Sequence, residues 1–541
     1  MKLAGVKLIT FSLLACVLAQ SSAGDLLNAG ELTEDTTWSG AVILEDNVVV
    51  PAGVVLNVQP GTVVLAKDKV ALTVYGQLLA DGTEAEPIRF THYGNGTRWE
   101  RIMFVEAEDS RLAHCFIEYA DCEGDHKDYY DNDGDPQTPP LPRVYFQAVV
   151  VLASHVDIEG CVFQNLPDDG PGREGDAIAV ISDDPDHPGD ASAHIRSCQF
   201  LSIGQGVHTR YAYVLVENCF FTDHHGDNDD VDLYGESTPA PLIRNNVFLD
   251  PAHDDMINPT RCSALIVANV IAGCDDHGVV LRDKCSPVVV NNLIYDCRSA
   301  GIAVQNQCDA LLLNNTIVNC GRGIRLFDHT GRWGAPYYLH PGSGSATVIN
   351  CIIWDCPTSF ALTDSPHQQD PGSHVTVVHS DIEGGRGSAS VSSASTLTWG
   401  AGNIDTDPQF VDPLGGDFHL KSQAGRWNPA VRSWVKDQLT SACIDAGDPN
   451  SDWTAELWPH GKRTNMGAYG GTPQASMSLS TFGNKADGNN DGVVDARDLL
   501  MLAEMWLIED VLLAEDIDRN GSVDFADLAL MAAHWLVEGR E

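Results

Sequence analysis

Apolar residues along this chain fall in short runs of alternating character, broken at close intervals by Gly, Asn and Asp. Gly278-Val279-Val280-Leu281, Gly301-Ile302-Ala303-Val304 and Gly323-Ile324-Arg325-Leu326 are three such runs. Asn292-Leu293-Ile294-Tyr295 and Asn315-Thr316-Ile317-Val318 lie between them. Period-two alternation predicts strands, and helical periodicity is absent here. The pattern also repeats. Cys262, Cys285 and Cys308 are 23 residues apart, as are Cys274, Cys297 and Cys320, and as are Asn246, Asn269, Asn292 and Asn315. A fixed period in the twenties built from strand-like runs predicts a solenoid of stacked coils, a parallel β-helix.

Coils stacked about 4.8 Å apart bring equivalent residues into contact. The Asn column is therefore expected to hydrogen-bond up the stack as a ladder. Cys115, Cys161, Cys198, Cys219 and Cys351 occupy the same place in other coils. These and the stacked cysteines of the two 23-residue series, Cys274, Cys285, Cys297 and Cys308 among them, are expected to be free thiols that act as small apolar fillers, not a disulfide framework. In the same frame Val231, Met256, Val279 and Ile302 point inwards. Asp232, Ile257, Val280 and Ala303 then point outwards, with Tyr234, Pro259, Arg282 and Gln305.

The earlier segments Val48-Val49-Val50-Pro51-Ala52-Gly53, Leu72-Thr73-Val74-Tyr75-Gly76 and Pro87-Ile88-Arg89-Phe90-Thr91 continue the strand-and-turn pattern. Together with the Asn-Asn-x-Ile coils they resemble secreted right-handed β-helix proteins of the pectate-lyase-like superfamily. Asn403-Ile404-Asp405-Thr406-Asp407-Pro408, Ile444-Asp445-Ala446-Gly447 and Asn465-Met466-Gly467-Ala468-Tyr469-Gly470 resemble the closing module that often follows such helices. The resemblance implies a β-helix over 24–402 and a cap over 403–472 that covers its open end.

Near the C-terminus two twelve-residue segments superpose at an offset of 29: Asp487 to Asp498 and Asp516 to Asp527. Positions 1, 3 and 5 are Asp487, Asn489 and Asp491 in the first, and Asp516, Asp518 and Asn520 in the second. Gly follows at position 6; Val493 and Ser522 offer carbonyls at position 7; Asp498 and Asp527 close the set at position 12. That is oxygen ligation for calcium. Helices are expected over Leu499–Leu507 and Leu528–Leu536. Two loop-helix halves with Asp at position 12 resemble a type I dockerin, here 486–541 after a linker over 473–485. The resemblance implies two bound Ca2+ ions and a cohesin-like partner on a scaffold or cell surface. Ala496-Arg497 and Phe525-Ala526 depart from the Ser-Thr pair common at the family's partner-choosing positions. The fold class is thus mainly β, a right-handed parallel β-helix with a small all-α calcium-binding domain.

Candidate chemistry gathers where successive coils carry ionisable residues. Asp229-Asp230, Asp254-Asp255 and Asp275-Asp276-His277 enter one strand family; Asp283 and Lys284 leave it. Asp230, Asp232 and Asp255 are the candidate ligands of a further Ca2+. Arg282 or Lys284 is the candidate base of a lyase, with His277 and Asp254 as further acid-base candidates. Carboxylates in the same place also suit glycoside hydrolysis. His208, Arg210 and Tyr234 flank the site. Two insertions, about 121–143 and 328–345, carry aromatic residues suited to sugar stacking, with Trp333 and Tyr337 on the second.

Lys2 and Lys7 beside the apolar stretch Leu8–Leu18, with small residues before Gly24, predict a signal peptide over 1–23; a looser alternative is a lipid-bearing Cys16. No later segment is long and apolar enough to predict a membrane span. Asp and Glu outnumber Lys and Arg 76 to 32, a formal charge of −44, which disfavours nucleic acid as a partner. The expectation is a secreted or surface-attached monomer acting on polysaccharide, uronate-containing or otherwise, by lyase or hydrolase chemistry. A non-catalytic glycan-binding protein and a structural adhesin are the alternatives, since the fold hosts all three.

Overall fold

The computed structural model describes residues 26–94, 98–120, 147–166, 175–182, 189–225, 229–249, 254–329, 342–364, 372–480 and 482–537. Its body is a three-faced parallel β-helix. Among the described residues, one face is a sheet of 14 parallel strands running from Thr36–Trp38 to Thr396–Trp399, and the other two faces join into a 26-stranded sheet, because strands such as Ala41–Val50 turn the corner between them. That strand pairs with Val63–Ala66 through its first half and with Leu72–Val74 through its second. The core is a set of inward columns: Val231, Ile257, Val279, Ile302 and Ile324 stack at zero exposure.

The Asn ladder forms as expected. Asn246 donates from Nδ2 to Oδ1 of Asn269 at 3.0 Å, Asn269 to Asn292 at 2.9 Å and Asn292 to Asn315 at 3.0 Å. Cys219 below and Cys351 above continue the column: the Cys219 amide donates to Asn246 and the Asn315 amide to the Cys351 sulfur. Before each ladder residue the backbone turns left-handed, with φ of 57° at Asn245, 56° at Asn291 and 49° at Asn314. This explains the Asn-Asn doublets. Asn tolerates the left-handed conformation that makes the corner, and a second Asn satisfies the buried corner amides. Beside the ladder Phe163, Phe200, Phe221 and Phe248 stack at 5.1, 4.5 and 4.5 Å.

Several expectations are corrected. Val231 aligns with Ile257, not Met256, so the outward columns run Asp232–Asn258 and Tyr234–Thr260–Arg282. That coil is longer than its neighbours, and the surplus lies between the strands Val231–Tyr234 and Leu242–Arg244. Cys274 pairs with Cys297 and Cys285 with Cys308 as disulfides between adjacent coils, where Cα atoms lie 4.7 and 4.8 Å apart. The column cysteines Cys115, Cys161, Cys198, Cys219 and Cys351 are free and buried.

The cap rises from the last coil and folds back along the side of the solenoid instead of closing its end. Phe410, Phe418, Leu420, Met466 and Ala468 cover the outward apolar stripe Leu293, Tyr295, Val318 and Ile352. The Asn291 side chain donates to the carbonyls of Ala468 and Gly470, which ties the module to the corner column. The segment expected to be linker is partly cap: Ala475, Ser476, Met477 and Ser478 are buried, and Ser422 donates to the Met477 carbonyl. Two short helices follow, α1 over Ala496–Glu504 and α2 over Phe525–Ala533, three residues earlier than the apolar pattern suggested. Asp495 with Asp498, and Asp524 with Asp527, form capping boxes, so each helix starts inside its acidic loop.

Candidate functional site

The strands Val207–Arg210, Val231–Tyr234, Ile257–Thr260, His277–Leu281 and Ala300–Gln305 lie side by side on one face. The register of Val231 with Ile257, and of Ile257 with Val279, carried two residues back, stacks Asp229, Asp255 and His277 in one column. This column is the centre of the site.

Asp255 is fully buried and bound from two sides. Nδ1 of His277 lies 2.8 Å from its Oδ1, and the Arg282 guanidinium donates to its Oδ2 at 2.7 Å. Burial alone would lower the His277 pKa. The hydrogen bond and charge of Asp255, with Asp276 at 3.2 Å, outweigh it and push the imidazole up to about 9. Across the rim Arg325 stacks on the Phe327 ring at 3.9 Å. Burial and the charges of Arg282 and Arg325 hold His329 below its usual range.

One ligand oxygen from each of Asp229, Asp254 and Asp255 lies within 4.8 Å of the others. Burial, then the charges of Asp255 and Asp232, push the Asp229 carboxyl well above the usual carboxylate range, against the pull of Arg282 and of Asn258, whose Nδ2 donates to it at 2.6 Å. Asp229 and Asp254 are partly exposed, so the cluster is reachable from solvent. This arrangement can hold a proton on one carboxyl beside a neighbour on the next coil, or grip a cation among three oxygens.

The structure thus brings together Asp254, Asp255, His277 and Arg282. It does not gather Asp230, Asp232 and Asp255 around one point. Asp230 is fully buried against His224, and Asp232 lies 3.0 Å from Nδ1 of His208. Lys284 is exposed in a turn, and its amine makes no hydrogen bond or ion pair with a described residue. Tyr234 receives a hydrogen bond from Arg261 at 2.8 Å, and Arg261 is itself held by Asp283 at 2.5 Å. Arg210 lies 5.8 Å from the Tyr211 ring, which packs edge-on against Tyr234. Trp333, Tyr337 and the 121–143 insertion lie outside the described residues. Asn258, Arg325 and His329 are not among the candidate site residues from sequence, and Asp229 is named there only as half of an acidic doublet. The repeated Asp-Asp doublet was the available signal for Asp229, once the register was right.

The two C-terminal loops are near copies. Asp487 accepts from the amides of Asp491 and Gly492, and Asp516 from those of Asn520 and Gly521. Asp498 accepts from Asn489 and Asp495, and Asp527 from Asp518 and Asp524. Burial and neighbouring carboxylates push the Asp487 and Asp516 carboxyls up. Asp516, Asp518 and Asp527 bring ligand oxygens within 4.8 Å. Buried, mutually repelling carboxylates with an all-oxygen donor set fit a hard divalent cation. The module rests on the cap through position 4 of both loops. Asn490 donates to the Thr454 carbonyl at 3.0 Å, and Arg519 to that of Trp458 at 3.4 Å. Between them lies a cavity of about 190 Å³ lined by Trp458, Lys485 and Leu513 among others.

Residues 148–333 match the family model for a right-handed beta helix region, and residues 368–447 match the model described as disaggregatase related. No curated protein matches the chain by sequence. Among solved structures, the periplasmic alginate epimerase AlgG is 12% identical over 68% of this chain and 76% of its own, with a TM-score of 0.33. A PL6-family polysaccharide lyase from Pseudopedobacter saltans is 14% identical over 70% and 96%, with a TM-score of 0.34. A lacto-N-biosidase from Eubacterium ramulus is 12% identical over 64% and 63%, with a TM-score of 0.36. Similarity at this level says nothing of this chain's reaction. Among the described residues no helix is long and apolar enough to cross a membrane.

Proposed function

We propose that the chain is a secreted, carbohydrate-active protein that acts on a polysaccharide at the face bearing Asp229, Asp254, Asp255, His277 and Arg282. The observation that carries this reading is the unequal environment of two carboxyls on adjacent coils. Burial and the charges of Asp255 and Asp232 push the Asp229 carboxyl up, which favours its protonated form, while Asp255 is bound by two cationic partners. In hydrolysis, Asp229 gives its proton to the departing glycosidic oxygen as the C–O bond breaks. Asp254, whose oxygen lies within 4.8 Å of that of Asp229, attacks the sugar carbon, and water then hydrolyses the glycosyl ester with Asp229 taking the water's proton. Arg282 is committed to Asp255, so its role is charge stabilisation and orientation, not proton abstraction.

The closeness of Asp229, Asp254 and Asp255 favours a second reading, a lyase in which these oxygens hold Ca2+ against a uronate carboxylate. The ion would acidify the adjacent C–H. Incubation with a panel of neutral and uronate polysaccharides, with and without EDTA, separates the two. New reducing ends that survive EDTA support hydrolysis; unsaturated products that EDTA abolishes support the lyase. No product from any glycan sinks both.

In the same proposal the C-terminal loops bind two Ca2+ ions through Asp487, Asn489, Asp491, Val493 and Asp498, and through Asp516, Asp518, Asn520, Ser522 and Asp527. The module attaches the chain to a cohesin-like partner. Support comes from the duplicated oxygen cages and from apolar residues left exposed beside them: Leu500, Leu507, Phe525 and Leu536. Calcium titration and pull-down with a cohesin panel test it.

A further inference from the structure

The 14-stranded face, on a different side of the solenoid from the acidic column, carries a second constellation. His155 and Asp157 stand on the strand His155–Glu159, and His194 on the next coil's strand Ser192–Arg196. The register pairs His155 with Ser192 and Asp157 with His194. All three side chains point outwards and are partly open, at 29, 41 and 29% exposure.

We propose that His155, Asp157 and His194 form a site for a divalent transition-metal ion, with zinc as the defining probe. Two imidazoles converge on one carboxylate oxygen. Nδ1 of His194 lies 2.9 Å, and Nε2 of His155 3.8 Å, from Oδ1 of Asp157. Zinc bonds of about 2.0–2.2 Å to nitrogen and oxygen put ligand atoms roughly 3–3.8 Å apart around one ion. The spacing therefore suits a shared metal. The other ring nitrogen of His155 lies 2.8 Å from Oγ of Ser192. That bond fixes the ring and leaves Nε2 to ligate, the outer-shell contact a metal-binding His normally has. Two imidazoles and one carboxylate select zinc, copper or nickel over calcium, so this site is chemically distinct from the C-terminal loops. The ligands stand on paired strands, and their partial exposure leaves a fourth position open to solvent.

Arg196 is the competitor. Its guanidinium lies 3.9 Å from Oδ1 of Asp157. It stands in register between Glu159 and Glu217, which can receive it when a metal arrives. The ion would clamp two successive coils, since one strand supplies two ligands and the next supplies the third.

Zinc titration of the full chain against a chromogenic chelator, in calcium-saturated buffer, tests the site. Wild type should bind one equivalent more than His194→Ala and than Asp157→Asn. Ser192→Ala should weaken that equivalent about ten-fold, the usual cost of losing an outer-shell partner. Arg196→Ala should tighten it. All four positions are outward-facing, and an unchanged melting temperature in each metal-free variant verifies the fold. Equal zinc stoichiometry in wild type and His194→Ala overturns the assignment. So does an equivalent lost only in His277→Gln, which would put the metal on the Asp255, Asp276 and His277 cluster instead.

Discussion

Nδ1 of His277 sits 2.8 Å from Oδ1 of Asp255, its neighbour in the stack on the preceding coil. A buried imidazole would normally shed its proton. Here the carboxylates of Asp255 and Asp276 keep it, and the pKa rises from 6.5 to about 9. The folded state therefore binds a proton that the unfolded chain releases between those two values.

The sign follows directly. Stabilisation by His277 is complete below pH 6.5 and is lost as pH rises through about 9. Denaturant unfolding of wild type and His277→Gln at pH 6, 8 and 10 should show a gap that narrows with rising pH. A gap of constant size would mean that folding leaves the pKa of this imidazole where it is in the unfolded chain.

Catalysis should depend on the column unevenly. Asp229→Asn should lower turnover about 10²–10⁴-fold, the usual span for a lost acid or base, and Asp254→Asn should lower it at least as far through loss of the nucleophile. Arg282→Lys should cost less than Arg282→Ala, because a charge remains near Asp255. Wild-type rates in both Asp variants would remove the face from consideration.

The ladder offers a stability test. Asn292 donates to the carbonyl of Ile266 and to Asn315, and accepts from the amide and side chain of Asn269. Asn292→Ala strands several buried polar groups and should cost about 3 kcal/mol or more, at ~1–3 kcal/mol per unsatisfied group. Asn292→Cys should cost less, because Cys219 and Cys351 already fill that column and the Cys351 sulfur accepts the Asn315 amide. Equilibrium unfolding measures both.

The coil period, the ladder and the acidic loops were legible because each is a local pattern copied at a fixed offset. The site was only partly legible. Arg282 reaches Asp255 across 27 residues and one coil. A single register step at Met256 decides which acidic residues stack, and spacing alone misplaced it. The pairing of Cys274 with Cys297 was misread for a related reason: the sequence shows vertical neighbours but not whether their sulfurs meet. The lateral seat of the cap was hidden because outward Leu293, Tyr295 and Ile352 read as ordinary strand residues until something covers them.

In the C-terminal module calcium binding should not need the seat on the cap, whereas the seat should need calcium. Arg519 and Asn490 carry left-handed backbone at position 4 of their loops, with φ of 61° and 57°, and both side chains turn away from the cage to the cap. Arg519 also donates to the Leu513 carbonyl within its own module, so it braces the loop and the interface together. Asn490→Ala should leave calcium stoichiometry at the two ions expected of the duplicated loops and weaken only the seat on the cap. Asp516→Ala should remove one ion and loosen both, because Asp516 holds the amides of Asn520 and Gly521. Limited proteolysis between the cap and residue 486 reports seating, and calorimetric titration reports calcium. In wild type, EDTA should speed cleavage. In Asn490→Ala, cleavage should already be fast with calcium present. Slow cleavage in that variant would show that the module's hold on the cap does not depend on this contact.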